Sequence, residues 1–238
     1  MSGQDPWNWQ VKASYPNYYR TYGQKHRGLL SPEEKRNLLI AMGTLTLCLG
    51  MAMQGGLAGT AHNFRIDPRS VLLFFLVSGI TTATGFALHE LSHKFTAQHY
   101  GCWAEFRYSI QGLGLALLTA AIGFLFASPG AVYIAGAVDK RQNGIISLAG
   151  PMANVAVVLA IVPIATLGLL GDNVSSWLMI VAYFNAFLAV FNMIPVMPLD
   201  GAKVWKWNAG IYVVSMAFVV ILLILTITVQ RSLPVPYW

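Results

Sequence analysis

His89-Glu90-Leu91-Ser92-His93 sets two imidazoles four residues apart, with a carboxylate beside the first. On a helix, positions i and i+4 share a face, so both rings can reach one metal ion. Zinc lowers the pKa of a bound water to about 7, and the neighbouring glutamate can then take its proton. The five residues are thus half of a site for metal-assisted hydrolysis. The other half is a third protein ligand, with one position left open for water.

After His93 the chain offers His99, Glu105, Asp139, Asp172 and Asp200 as further ligands. His99 stands at a tempting spacing. The three-histidine pattern, however, needs glycine where this chain has Thr96, because the backbone must turn there. On a continuing helix, six residues at about 100° each carry His99 off the metal face. Glu105 follows the helix directly and stays in play as a rival third ligand. Asp139 groups with Lys140 and Arg141 in a loop, and Asp172 falls in a short loop on the opposite side. Asp200 is the strong candidate. Pro195 and Pro198 end a helix before it and let the chain fold back, and Gly201 permits a tight turn beside it.

The elements that must position these groups are membrane helices. The 238 residues are 56% hydrophobic and 10% charged, against about a quarter charged in soluble domains. Apolar runs long enough to span recur at 37–59, 71–88, 144–170, 177–195 and 208–229. The net charge of +6 is scattered between those runs and reads as loop charge, not as a nucleic-acid surface. Two cysteines, Cys48 and Cys102, exclude a disulfide framework and a CxxC zinc pair. Residues 1–36 form a polar, basic tail rich in Trp and Tyr, expected at the lipid headgroups; the first apolar run begins near Leu38, so no cleavable signal peptide is expected. The transmembrane domain then covers 37–230, with the motifs inside 71–208, and 231–238 is a short C-terminal tail.

Two helix starts are legible. Ser31-Pro32-Glu33-Glu34 reads as a capping box with proline at the first helical position, and Asp67-Pro68 repeats the device. From Pro68 to His99 runs 32 residues, or about 48 Å of helix, against a hydrocarbon core of about 30 Å. His89 therefore belongs near the far boundary. The stretch 112–138 is awkward: an apolar piece too short to cross, a Ser128-Pro129-Gly130 break, then a strand-like AVYIAGAV. If it dips in and returns, the side of the N-terminal tail carries 12 Lys and Arg and the other side 3; a single crossing makes the split 9 to 6. The first arrangement obeys the positive-inside rule better and brings Asp200 to the depth of His89 and His93. The predicted fold is an all-α polytopic membrane protein, with about five transmembrane helices plus a re-entrant segment of short strand character. Its N-terminus and site lie on the cytosolic side.

HELSH (89–93), ISLAGPMAN (146–154) and NMIPVMPLDG (192–201) stand in an order that resembles the site-2 protease family of intramembrane zinc metalloproteases. That resemblance implies one Zn2+ per chain held by His89, His93 and Asp200, with Glu90 as the catalytic base. It also implies substrate-binding roles for Asn192, which would hold the substrate backbone or oxyanion, and for Asn154, which with the Gly150-Pro151 kink would shape the cleft. A strand near 131–138 would pair with an extended substrate. The implied reaction is hydrolysis of a peptide bond in or near a transmembrane helix of another membrane protein, with lipid and that helix as partners and no nucleic acid. The alternative is a metal-binding membrane protein that cleaves nothing, either a transporter or a scaffold that sequesters clients.

Overall fold

The computed structural model of the protein describes residues 30–167 and 170–233; the aromatic tail lies outside the described residues. Among the described residues, five helices are long and apolar enough to cross a membrane. They are α1 (Pro32–Met53), the composite helix running Pro68–His99, α6 (Lys140–Thr166), α7 (Asp172–Asn192) and α9 (Ala209–Ser232). The composite helix consists of α3 (Pro68–Thr82), a π-helical turn (Ala83–Ala87) and α4 (Leu88–His99). Between the spans lie α2 (Gly56–Ile66), β1 (Trp103–Tyr108), α5 (Ile110–Ala121), β2 (Gly130–Ala135) and α8 (Asp200–Trp207).

Both expected helix starts form. Ser31 Oγ accepts from the Glu34 N–H at 3.1 Å, and Asp67 Oδ1 accepts from the Arg69 N–H at 3.1 Å. Hydrogen bonding from Ser70 to the half-buried Asp67 carboxylate holds its pKa below the ordinary value. The capping box at α1 is only half made, because the Glu34 carboxylate leaves its own helix end for Lys94 and the Phe106 N–H. The first span also ends earlier than residue 59. Gly55 and Gly56, at φ of 82° and 86°, turn the chain after Met53 through a conformation that side chains resist, and α2 follows.

The stretch after α4 returns to its starting side. β1 and β2 pair antiparallel, from Trp103↔Ala135 to Tyr108↔Gly130, so the two ends of the intervening segment are hydrogen-bonded together. The helix between them, α5, has 12 residues and rises about 18 Å, short of a crossing. The re-entrant segment thus exists, flanked by two strands where the sequence suggested one. The outer edge of β2 has no partner strand among the described residues.

Apolar burial drives helices together weakly in lipid, so close packing of small residues must do it. On α7 Ser175, Ser176, Ala182, Ala186 and Ala189 are buried along one side, and α6 packs there. Two apolar clusters hold the helices together. One joins Leu38, Ala41 and Leu45 of α1 to Phe86, Phe106 and Leu113. The other joins Val155 and Val158 of α6 to Ala189, Met193, Val204 and Val219. Leu91 of α4 packs on the first cluster, and α4 also packs along α6.

Candidate metal centre and active site

His89 and His93 lie one turn apart on α4, with their Nε2 atoms 3.0 Å from each other. Asp200, the first residue of α8, brings its Oδ2 to 3.4 Å from His89 Nε2 and 3.0 Å from His93 Nε2. All three side chains are buried, and among the described residues no other three His, Cys, Asp or Glu side chains converge in this way.

The backs of both rings are engaged. His93 Nδ1 lies 2.7 Å from the Ile146 carbonyl, which only accepts, so the ring must donate from Nδ1. His89 Nδ1 lies 2.7 Å from Asn154 Oδ1. The Asn154 amide donates to the Gly85 carbonyl at 2.8 Å and to Asn185 Oδ1 at 3.1 Å, which fixes its oxygen toward the histidine. Both imidazoles therefore present bare Nε2 lone pairs to the Asp200 carboxylate. Three acceptors without a donor repel one another unless a positive charge lies among them. That charge is either a proton on a ring or a cation. With a proton shared there, burial pushes the Asp200 carboxyl up, but His93, His89 and Lys203 outweigh it and hold it well below the carboxylate range. Spacings of 3.0 to 3.4 Å are close to the edge of about 3.3 Å that follows from a tetrahedron with zinc bonds of about 2.0–2.1 Å. The donor set fits zinc.

Gly150 supplies a second test of fit. A Cβ there would stand 2.6 Å from His89 Nε2 and would press on His93 Nε2. The backbone of α6 thus approaches the two ring nitrogens as no side chain would allow. Gly201 plays a similar part: a Cβ there would meet the Ile194 carbonyl oxygen at 2.8 Å, so glycine lets α8 start tight against the end of α7. Glu90 is partly exposed, and its carboxylate interacts with the Val132 backbone of β2 and with the charges of Asp200 and Lys203.

The remaining candidates sort by position. Asn154 is fully buried, and its amide is used up by His89, Gly85 and Asn185. It orients the His89 ring from behind. Asn192 ends α7 half-buried and donates back to the Leu188 carbonyl at 2.9 Å. Glu105 is paired with Arg107 on β1 at 2.7 Å and does not join the His89, His93 and Asp200 group. His99 ends α4 and stacks edge-on with Tyr100. Lys94 is buried against Glu34.

Two contributors carry no motif, Asn185 and the π turn. Asn185 donates to Thr84 Oγ1 at 3.1 Å and to the Val181 carbonyl at 2.9 Å, and so anchors Asn154. The π turn ends just before Leu88 and offers the Gly85 carbonyl to Asn154. Such turns recur at functional sites. Asparagine inside an apolar helix is the signal that could have pointed to Asn185.

A multi-pass membrane protein that gathers two histidines, an aspartate and a neighbouring glutamate at one end of its bundle has the makings of a metalloprotease. A protein of Methanocaldococcus jannaschii named as a candidate zinc metalloprotease, MJ0611, is 41% identical over 150 residues, covering 62% of this chain and 78% of its own. Rip2 proteins named in the same way are 28% identical over 170 residues in Mycobacterium tuberculosis, and 27% over 172 residues in Mycolicibacterium smegmatis. Those matches span 65% and 66% of the mycobacterial proteins, just under two thirds of their length. No family model and no solved structure matches. The chain belongs to this family of zinc metalloproteases.

Proposed function

We propose that this chain is an intramembrane endopeptidase of the site-2 type, cutting a peptide bond in or near a transmembrane helix of another membrane protein. The observation that carries the reading is a juxtaposition. Glu90 lies between the acceptor triad of His89, His93 and Asp200 and β2, whose outer edge has no partner strand. A site made only to hold a metal has no use for that glutamate or that edge.

His89, His93 and Asp200 would hold one zinc ion. When bound, the ion supplies Lewis acidity to a water and to the scissile carbonyl. The Glu90 carboxylate accepts the proton of the attacking water as its oxygen bonds to the carbonyl carbon. It returns that proton to the amide nitrogen as the C–N bond breaks. A helical substrate shields its peptide bonds, so it must first extend; backbone hydrogen bonds to the edge of β2 offset that cost. Asn192, at the end of α7, is proposed to hold the substrate backbone or the oxyanion. The loop charges support a cytosolic N-terminus and a site on that side, where water enters from the nearby boundary.

The test is purified protein in micelles, incubated with a panel of single-span membrane proteins, with and without a zinc chelator, beside Glu90→Gln. Chelator-sensitive cleavage is expected, with Glu90→Gln retaining zinc and losing about 10²–10⁴-fold in rate. No cleavage of any panel member by the zinc-loaded wild type, or equal cleavage by Glu90→Gln, overturns the proposal in favour of a non-proteolytic metal-binding membrane protein.

A further inference from the structure

Glu34 sits at the third position of α1, where a glutamate ordinarily turns back to its own N-cap. Here it is fully buried and reaches across the bundle. Oε2 takes the ammonium of Lys94, itself 1% exposed, and Oε1 accepts the Phe106 N–H at 3.0 Å. Lys94 directly follows His93 on α4. Phe106 pairs with Val132 in the two-stranded sheet, and the Val132 backbone meets the Glu90 carboxylate. The Phe106 ring also packs edge-on against Phe86, at 5.4 Å between centroids, just ahead of His89.

One carboxylate therefore grips the helix that carries Glu90 and the sheet that faces it. The contact closes a ring: Glu34 to Lys94, along α4 to Glu90, across to Val132, over the ladder to Phe106, and back to Glu34. Apolar packing alone would leave the sheet able to slide along α4, since dispersion contacts are not directional. A buried ion pair with a backbone hydrogen bond has a single geometry.

We propose that Glu34 and Lys94 are positioning residues that fix the height of β2 against Glu90, and with it the peptide bond presented for cleavage. This rests on the protease reading above. It assigns the first span a part in selecting the cleavage position, although that span supplies no ligand.

The test uses the full chain, zinc-loaded in micelles, on whichever single-span panel member the wild type cleaves, with products identified by mass. The informative variant is the double Glu34→Gln/Lys94→Met. It leaves no unpaired buried charge and keeps an amide oxygen for the Phe106 N–H; each single change is run beside it. The expected result for the double variant is zinc affinity within about threefold of wild type, unlike the 10–100-fold loss caused by removing a ligand's support. Its kcat falls by about tenfold to a hundredfold, and cleavage spreads to neighbouring peptide bonds. Wild-type kcat with one unchanged cleavage position would sink the proposal. So would a loss of rate matched by a parallel loss of zinc affinity and melting temperature, which is the mark of a merely structural pair. If the wild type cleaves no panel member, the protease reading fails and this one falls with it; cleavage by the wild type and the double variant alike removes only this one.

Discussion

Gly150→Ala separates the metal site from the fold. In a helix interior alanine is favoured over glycine by about 1 kcal/mol, and Gly150 lies within α6 at an ordinary helical backbone. Its Cβ, however, would stand 2.6 Å from both His89 Nε2 and His93 Cε1. Comfortable contact begins near 3.5 Å, so the rings must retreat by about 0.9 Å or α6 must back away. Retreat pulls on Nδ1 hydrogen bonds of 2.7 Å to Asn154 and Ile146. Zinc ligands tolerate about 0.2 Å of displacement. Overpacking costs about 1–3 kcal/mol, and the helix gain offsets about 1 of it. The metal-free protein should therefore lose no more than about 2 kcal/mol, or roughly 4–8 °C for a chain of this size. Zinc affinity should fall by about 100-fold or more, the upper end of what a lost supporting contact costs. Competition with a chromophoric chelator reads the affinity, and circular dichroism with melting reads the fold. Zinc binding within about threefold of wild type would show that Gly150 does not border the ion, and the site geometry argued above would be wrong.

Asp200→Ala should abolish stoichiometric zinc, measured by elemental analysis after gel filtration, whereas Glu105→Ala should leave it unchanged; the opposite pattern would make Glu105 the third ligand. Asn154→Leu should weaken zinc binding by about 10–100-fold by leaving His89 Nδ1 without its acceptor. Asn185→Leu should weaken it less, since it acts one bond further back, and competition titration would rank the two. A chelator should lower the melting temperature of wild type but not of Asp200→Ala. Zinc at about 100 times its dissociation constant stabilises by about 2.7 kcal/mol, and only a chain that binds it can lose that.

The candidate ligands were legible because each announces itself locally. HExxH fixes two side chains by helical period, and Pro195, Pro198 and Gly201 mark a chain reversal beside Asp200. Spans were legible from length and apolarity, with ends displaced by a few residues. What escaped depends on partners far away in sequence. The Glu34 carboxylate meets a lysine 60 residues on and an amide 72 residues on, and nothing near residue 34 predicts either. β1 escaped because WAEFRY carries two charges, Glu105 and Arg107, in six residues; it becomes a strand only by pairing with β2. The partners of Asn154 escaped as well, since a motif gives residue type and spacing and not which face of a helix the residue occupies.

The polar groups buried at the site end of the bundle form two sets with different logic. Glu34 with Lys94, and Asn154 with Asn185 and Thr84, are matched donor to acceptor, which is what an interior without water requires. His89, His93 and Asp200 are the exception: their facing atoms all accept, and the matched set behind them prevents any from turning away. A chain that can satisfy a buried asparagine pair to the last amide could have satisfied these three as well. Their mismatch is therefore maintained by the fold, and the stability spent on holding three lone pairs together is recovered when a proton or a metal cation enters.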